Sequence, residues 1–403
     1  MPHQVSVELV ILTSTFPRWV GDSVPRFVED FALRMRSRFR AVTVIAPHYR
    51  GSAAREGSSA GITIKRFRYA IPASQENIVY EGHAATKARA RPVYALKLLL
   101  LLASSFRTTV VSAFRRNAVV NAHWIIPQGA VALAARPLTG APVVVTVHGG
   151  DVFTLNARLL RRVKRWVLKK ADVVVVNSSA TLQACRQLYP DRTYEVIPMG
   201  VDTTAFHPAP AALAGSNEVL FVGRLSPEKG AHYLLEAAAA AIERGASRFR
   251  VRIVGDGPQR AQLEAYAEAH GISHAVTFDG WVAHEDLPPI YRQATVFTGP
   301  SIIDDNGWSE AFGLTFAEAS ACGLPVIATR TGGISDIVKD GETGLLVDQR
   351  SSDQLLEALL ALLEDSALCE RLGSQGARHV AENFSWDAVV ERYAAIIDGL
   401  RQR

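Results

Sequence analysis

Thirteen short runs rich in Val and Ile alternate along the chain with longer stretches whose apolar residues recur at helical spacing, and this alternation constrains the fold more than any other feature. Strands buried on both faces read as continuous apolar runs. When helical segments separate such runs, the strands pair in parallel and the helices cover the sheet. Seven strands are expected in the first half: Val5 to Leu12, Val42 to Ala46, Ile62 to Phe67, Val119 to Ala122, Val143 to His148, Val173 to Asn177 and Tyr194 to Ile197. Six follow in the second, at Val219 to Val222, Arg250 to Val254, Val276 to Asp279, Val296 to Thr298, Pro325 to Ala328 and Gly344 to Val347. The 403 residues exceed the ~250 to 300 at which one hydrophobic core stops growing. Two Rossmann-like α/β domains are therefore expected, over residues 1–200 and 201–384. The Pro-, Ala- and Gly-dense segment 198–218 would link them, and an amphipathic helix would end the chain over 385–403.

Composition narrows the class. With 48% hydrophobic and 21% charged residues, the chain is neither disordered nor fibrous. Three cysteines are too few and odd in number for a disulfide framework or a cysteine-based zinc site, and a reducing cytoplasm is the expected setting. The start, MPHQVSVELVILTSTFP, lacks a basic leader region and reads as a strand. The apolar run Val93 to Ala103 contains Lys97 and is half of the ~20 residues a membrane span needs, so no crossing is expected.

Charge is distributed unevenly. Residues 1–200 carry 28 Lys and Arg against 11 Asp and Glu, a net +17, whereas residues 201–403 carry 16 against 28, a net −12. A basic half beside an acidic one suggests that the first domain faces an anionic partner. Part of the excess lies at Arg34, Arg36, Arg38 and Arg40, and part in RLLRRVKRWVLKK, Arg158 to Lys170. There Leu159, Val163, Trp166 and Val167 form an apolar stripe, which either packs on the domain core or meets an anionic membrane. Nucleic acid is not expected, because no recognition motif or exposed aromatic interleaving is visible.

Ligands of open α/β sheets bind beyond the carboxyl ends of the strands. A hydride-transfer enzyme would show GxGxxG after its first strand, but that strand runs into TSTFPRWVGDSVPRF. The glycines of GDGP, Gly255 and Gly257, follow a strand too, and are weak evidence alone. The second domain opens with VLFVG and then RLSPEKG. Arg224 and Lys229 stand on that loop, with Gly223 and Gly230 allowing close backbone approach, and the loop is either a diphosphate clamp or a solvated turn. In SEAFGLTFAEASACGLPVIATRTGGISDIV, Glu310 precedes a helix expected to begin near Phe312, and Glu318 lies eight residues on. The amides of Phe312, Gly313 and Leu314 are then first-turn N–H groups open to hydroxyls or phosphate oxygens. Each feature singly could be a cap or a turn; together they fit a nucleotide-sugar site. His148, at a strand end in HGGD, is a functional candidate or a structural histidine, and Asp151 a site residue or a helix cap. His123 and Trp124, in AHWIIPQG, line the acceptor side or the core.

The order VGRLSPEKG, GDGP, EAFGLTFAE and TGG resembles the retaining GT-B glycosyltransferases of family GT4, and the resemblance extends over the whole chain through IPMGVDTTAF, TVHGGDVF, TSTFPRWVGDSVPRFVEDFA and the final SWD helix. It implies two Rossmann-like domains facing across a cleft, the first binding acceptor and the second the donor, with the last helix crossing back to the first. Arg224 and Lys229 would bind the donor diphosphate and stabilise the leaving nucleoside diphosphate. Glu310 would position the transferred sugar, Glu318 would bind ribose, and His148 would face the sugar. Gly21, Asp151, Gly223, Gly255, Gly257, Val282, Phe312, Gly313 and Leu314 would complete the donor side. Ala311 stands where the family more often has Gly, which should alter the seating of the sugar if that position requires positive φ. With no aspartate-x-aspartate pair and no metal-spaced histidine cluster, transfer from a UDP- or GDP-sugar without metal or other cofactor is expected. The expected acceptor is a hydroxyl on a lipid-linked glycan or polysaccharide intermediate, at the inner face of the plasma membrane. The competing readings are a small soluble acceptor, a nucleotide-sugar epimerase, and a two-lobed sugar-binding protein.

Overall fold

A computed structural model describes residues 5–19, 22, 24, 26–52, 55–57, 61–80, 92–114, 116–209, 217–246, 249–305 and 307–401. The chain divides into two compact units. One comprises Met1–Asn177, Thr181–Ile197 and Val389–Arg403, the other Ser178–Ala180 and Pro198–Ala388.

The strands of the first unit are β1 (Val5–Leu12), β2 (Phe39–Pro47), β3 (Arg55–Gly57), β4 (Ile62–Phe67), β5 (Ala118–His123), β6 (Val143–Val147), β7 (Val173–Val176) and β8 (Glu195–Val196). Its helices are α1 (Phe27–Met35), α2 (Pro92–Ala113), α3 (Ala130–Thr139), α4 (Gly150–Phe153), α5 (Arg158–Lys170) and α6 (Ser179–Leu188). The sheet order is β3-β4-β2-β1-β5-β6-β7-β8, parallel throughout except β3, which runs antiparallel to β4. Residues of α2, α3, α5 and α6 share one core with strand residues such as Val120, Val145 and Val174.

In the second unit the strands are β9 (Glu218–Val222), β10 (Arg250–Val254), β11 (Val276–Gly280), β12 (Val296–Gly299), β13 (Val326–Thr329) and β14 (Leu345–Val347). The helices are α7 (Ala231–Glu243), α8 (Arg260–Ala269), α9 (Leu287–Gln293), α10 (Leu314–Ala321), α11 (Ile334–Ile337), α12 (Ser352–Glu364) and α13 (Ser366–Asn383), and α14 (Trp386–Arg401) ends the chain. The order β11-β10-β9-β12-β13-β14 is parallel throughout. From Val389 onward α14 belongs to the first unit, where the Tyr393 ring lies 4.8 Å from that of Phe31 and its hydroxyl 3.2 Å from Thr146 Oγ1.

Strand order reverses once in each sheet, between β1 and β5 and between β9 and β12, so the loops after these strands lie side by side at a switch point. That places His123 and Trp124 in one unit, and Arg224, Lys229 and Glu310 in the other, where ligands of such sheets bind.

Three expectations change. The segment 198–218 is not a plain linker: among its described residues Val201 and Phe206 are each 2% exposed and join the core of the second unit. The run from Val93 extends into a 22-residue helix, α2, long and apolar enough in composition to cross a membrane, but its Lys97, Ser105, Thr109 and Ser112 are buried against the fold. In α5 the buried face is Lys164, Val167 and Leu168, while Leu159 and Trp166 stand exposed. Periodicity gives a helix its stripe; the neighbouring elements decide which stripe turns inward.

Candidate functional site

The switch point of the second unit gathers the charged residues. Lys229 ends the loop after β9 and its Nζ donates to Glu310 Oε2, forming an ion pair whose side chains keep a quarter or less of their exposure. The same ammonium lies 5.0 Å from the Trp308 ring, a cation–π contact. Gly230 lets the loop turn: its φ is +70°, and a Cβ there would come 2.0 Å from the Pro300 carbonyl oxygen. Arg224, on the same loop, is exposed, and no carboxylate among the described residues pairs with it.

Backbone contacts fix Glu310. The Gly333 amide donates to its carbonyl at 2.9 Å, and a Cβ on Gly332 would meet that carbonyl oxygen at 1.9 Å. The TGG motif therefore clamps the peptide that carries the carboxylate. Gly255 and Gly257 have a similar role: Cβ atoms there would come 1.9 Å from Gly223 O and 2.4 Å from Leu225 O, so GDGP lets the loops after β9 and β10 touch. Gly223 in turn donates its amide to Val254 O at 2.9 Å.

Helix α10 starts at Leu314, two residues later than expected, because Gly313 caps it with a φ of +95°. The amides of Leu314 and Thr315 precede its first intrahelical bonds. The Phe312 ring is buried in the core against Phe384, and the partly buried Val282 packs on the same core. Ala311 is not in the left-handed region, so its Cβ costs no backbone strain. Glu318 is 2% exposed, and its carboxylate accepts hydrogen bonds from Tyr291 Oη at 3.0 Å and His284 Nε2 at 2.7 Å. The two carboxylates thus differ: Glu310 keeps some access to solvent, whereas Glu318 is buried and hydrogen-bonded. Burial, then the Glu318 charge, push the Tyr291 hydroxyl well above its ordinary pKa, keeping it a donor. Sequence reasoning missed His284 and Tyr291, which come from a 3-10 turn and from α9, and no spacing in the sequence tied either to Glu318.

In the first unit, His123 and His148 meet. Their rings stack at 5.0 Å, with His123 Nδ1 2.8 Å from His148 Nε2. Phe27 and Trp124 lie 4.9 and 5.2 Å from the His148 ring. Burial drives the His148 pKa down to about 3; burial first, then His148, lowers that of His123 well below the ordinary value. Both are neutral, so each carries a single N–H, and among the described residues His148 Nδ1 and His123 Nε2 have no hydrogen-bond partner. Asp151 accepts from the amides of Ile125 at 2.6 Å and His148 at 3.3 Å, tying the loops after β5 and β6 together, and burial raises its pKa. Trp124 has a φ of 78°, a strained conformation for a bulky residue of the kind that concentrates at functional sites. Gly21 lies outside the described residues.

Residues 202–379 match the family model described as Glycosyl transferases group 1, and residues 24–205 the one described as Glycosyltransferase Family 4. The chain is 30% identical to the GDP-mannose-dependent alpha-(1-6)-phosphatidylinositol monomannoside mannosyltransferase of Mycobacterium tuberculosis, over 97% of its own length and 98% of that protein's. It is 34% identical to the D-inositol 3-phosphate glycosyltransferase of Rhodococcus opacus, over 69% of its length and 67% of the relative's. Among solved structures it resembles sucrose-phosphate synthase from Thermosynechococcus elongatus, with a TM-score of 0.76, 22% identity, and coverage of 98% of this chain and 99% of that one. Anabaena HepE in complex with UDP gives a TM-score of 0.74 at 19% identity, covering 98% and 100%.

Proposed function

Because the chain belongs to glycosyltransferase family 4 and has the GT-B fold, we propose that it transfers a sugar from a nucleotide-diphosphate donor to a hydroxyl of an inositol phosphate headgroup, with retention of configuration and without a metal. The observation that carries this reading is the pairing of Lys229 with Glu310 at the switch point of the second unit, beside the exposed Arg224. A cation poised on a carboxylate can serve a diphosphate and a sugar at once. The relatives' names motivate the choice of acceptor and favour GDP-mannose as donor. The second unit would take the donor and the first the acceptor.

Cleavage of the sugar's C1–O bond leaves charge on the β-phosphate while positive charge develops at C1. In this reading Arg224 and Lys229 stabilise the former, each worth a gross few kcal/mol at ~4 Å and an effective dielectric of ~20, before desolvation. The acceptor oxygen attacks C1 from the face the phosphate leaves, and its proton passes to the departing phosphate oxygen. Glu310 positions sugar hydroxyls, Glu318 and the first amides of α10 receive the nucleotide's ribose and phosphates, and neutral His148 offers Nδ1 to the sugar. Lys229 and Arg224 supply the charge a metal would otherwise bring. The acceptor would be met at the cytoplasmic, anionic face of a membrane, to which the basic first half of the chain is suited.

The test incubates the protein, in chelator, with GDP-mannose or UDP-glucose and either phosphatidylinositol or free inositol phosphate. A hexose mass added to the lipid supports the reading. Transfer only to the free phosphate favours a soluble acceptor, to which the second relative's name points, and no transfer from any donor defeats the proposal. Glu310→Gln should lower turnover about a hundredfold, and the wild-type protein should carry no glycosyl group during turnover; an adduct mapped by mass spectrometry to Glu310 of the wild type would make it the nucleophile instead.

A further inference from the structure

Helix α2 is apolar on both sides. The side turned to the sheet packs Leu101 and Ala113 into the core but also carries Lys97, Ser105, Thr109 and Ser112. Lys97 Nζ donates to Gln75 Oε1 at 2.9 Å and Asn77 Oδ1 at 3.2 Å, and Ser112 Oγ accepts from Lys65 Nζ at 3.0 Å. The side turned away carries Val93, Leu96, Leu99, Leu100 and Val111, 46 to 64% exposed, and Phe114, 48% exposed, follows the helix. At 100° per residue, all of these but Leu99 fall within an arc of about 60°, and the row runs for about 32 Å. An apolar face of that length is not what a helix in a soluble layer ordinarily shows to water.

Charge identifies the occupant. No Asp or Glu occurs between Glu81 and Asp151. Arg107 interrupts the exposed row, and Lys87, Arg89 and Arg91 precede it in the sequence, whereas Arg116, which follows it, is paired with Glu8 at 2.8 Å. Two copies of this face would bring their Arg107 guanidinium groups into one apolar interface with no carboxylate in the row to pair them, whereas anionic headgroups would neutralise them. In the same layer α3 packs between α2 and α5. On α5, Leu159 is 70% and Trp166 43% exposed, among Arg161, Arg162, Arg165 and Lys169. A basic face with leucines and a tryptophan is the composition of an element lying in a membrane interface.

We infer that the outer surface of the α2–α3–α5 layer docks on an anionic phospholipid bilayer, with the exposed row of α2 seated at the boundary of headgroups and acyl chains and the arginines of α5 held by headgroups. The inference deepens the lipid-acceptor reading and rests on it, but its measurement does not depend on transfer. Basic residues near such a surface attract it through a screened field, whereas buried apolar area resists salt.

The full-length protein is co-sedimented with vesicles of equal parts phosphatidylglycerol and phosphatidylcholine, at low salt and at ~1 M salt, where the screening length is about 3 Å. Wild type should bind, and part of the binding should survive high salt. The Leu96→Gln, Leu99→Gln, Leu100→Gln triple variant should lose the salt-resistant part and bind about tenfold more weakly at low salt. Arg161→Ser with Arg162→Ser should weaken only the low-salt part. Triple-variant binding equal to wild type overturns the inference, as does a wild-type dimer that the triple variant dissolves, which would assign the face to a second copy. Transfer to a water-soluble inositol phosphate should be the same in wild type and triple variant. If wild type transfers to nothing yet binds vesicles through α2, the function fails and the docking surface stands.

Discussion

Lys229 and Glu310 neutralise one another across the switch point, while the buried Glu318 draws its donors from Tyr291 and His284. Removing the Tyr291 hydroxyl leaves a buried carboxylate with one side-chain donor fewer, so Tyr291→Phe should cost about 1 to 3 kcal/mol and raise the donor KM. The urea midpoint at pH 7 measures the first, and an unchanged midpoint would mean that the hydroxyl carries none of the carboxylate's solvation. The histidine pair gives a pH dependence of defined sign. Both pKa values are depressed in the folded protein, to about 3 for His148, so as pH falls below ~6.5 the unfolded chain takes up protons that the folded one refuses. Stability is then lost from about pH 6.5 down towards the folded values, by up to about 1.4 kcal/mol per pH unit for each histidine. Asp151, raised by burial, opposes this near the ordinary carboxylate range, because its folded carboxyl holds a proton more readily than the unfolded one. A His123→Gln, His148→Gln variant should show a flatter decline than wild type between pH 7 and 5, and equal slopes would remove the histidines from the account.

Glycine positions connect elements to the site. Gly332→Ala puts a Cβ 1.9 Å from the Glu310 carbonyl oxygen, and should lower kcat/KM about a hundredfold by shifting that carboxylate. Gly341, with a φ of +73° and open space where its Cβ would lie, is the control: Gly341→Ala should cost about 1 kcal/mol in strain and leave turnover intact. Steady-state kinetics with thermal midpoints separates the two, and an active Gly332→Ala would show that the TGG clamp does not hold Glu310. Elements were legible where Val and Ile runs mark buried parallel strands; β3, built from Arg55, Glu56 and Gly57, has no such run and was not expected. The start of α10 shifted because Gly313, not Phe312, adopts the capping conformation. Helix α5 was read as periodic and the run from Val93 only as an apolar stretch, but their inward faces depend on Gln75, Asn77 and Lys65 for α2, and on the burial of Lys164 for α5. Those partners are distant in sequence and carry no local signal.

At the scale of the molecule, the opposed charges of the two halves and the two parallel sheets divide the work proposed for the chain, an acidic half carrying one cationic loop and a basic half carrying the lipid face. The RLSPEKG and SEAFGLTFAEAS segments were singled out together in the sequence, and the strand order brings their Lys229 and Glu310 into an ion pair. The contacts of His284 and Tyr291 with Glu318 were not legible, since neither residue type implies a partner. The central claim is that Arg224 and Lys229 grip a nucleoside diphosphate without a metal, and calorimetric titration of GDP in the presence of chelator tests it most directly. Wild type should bind, and Arg224→Ala and Lys229→Ala should each weaken binding about tenfold or more, as expected for charge-assisted contacts. Equal affinity in all three proteins, or wild-type binding that returns only when a divalent cation is restored, would contradict it.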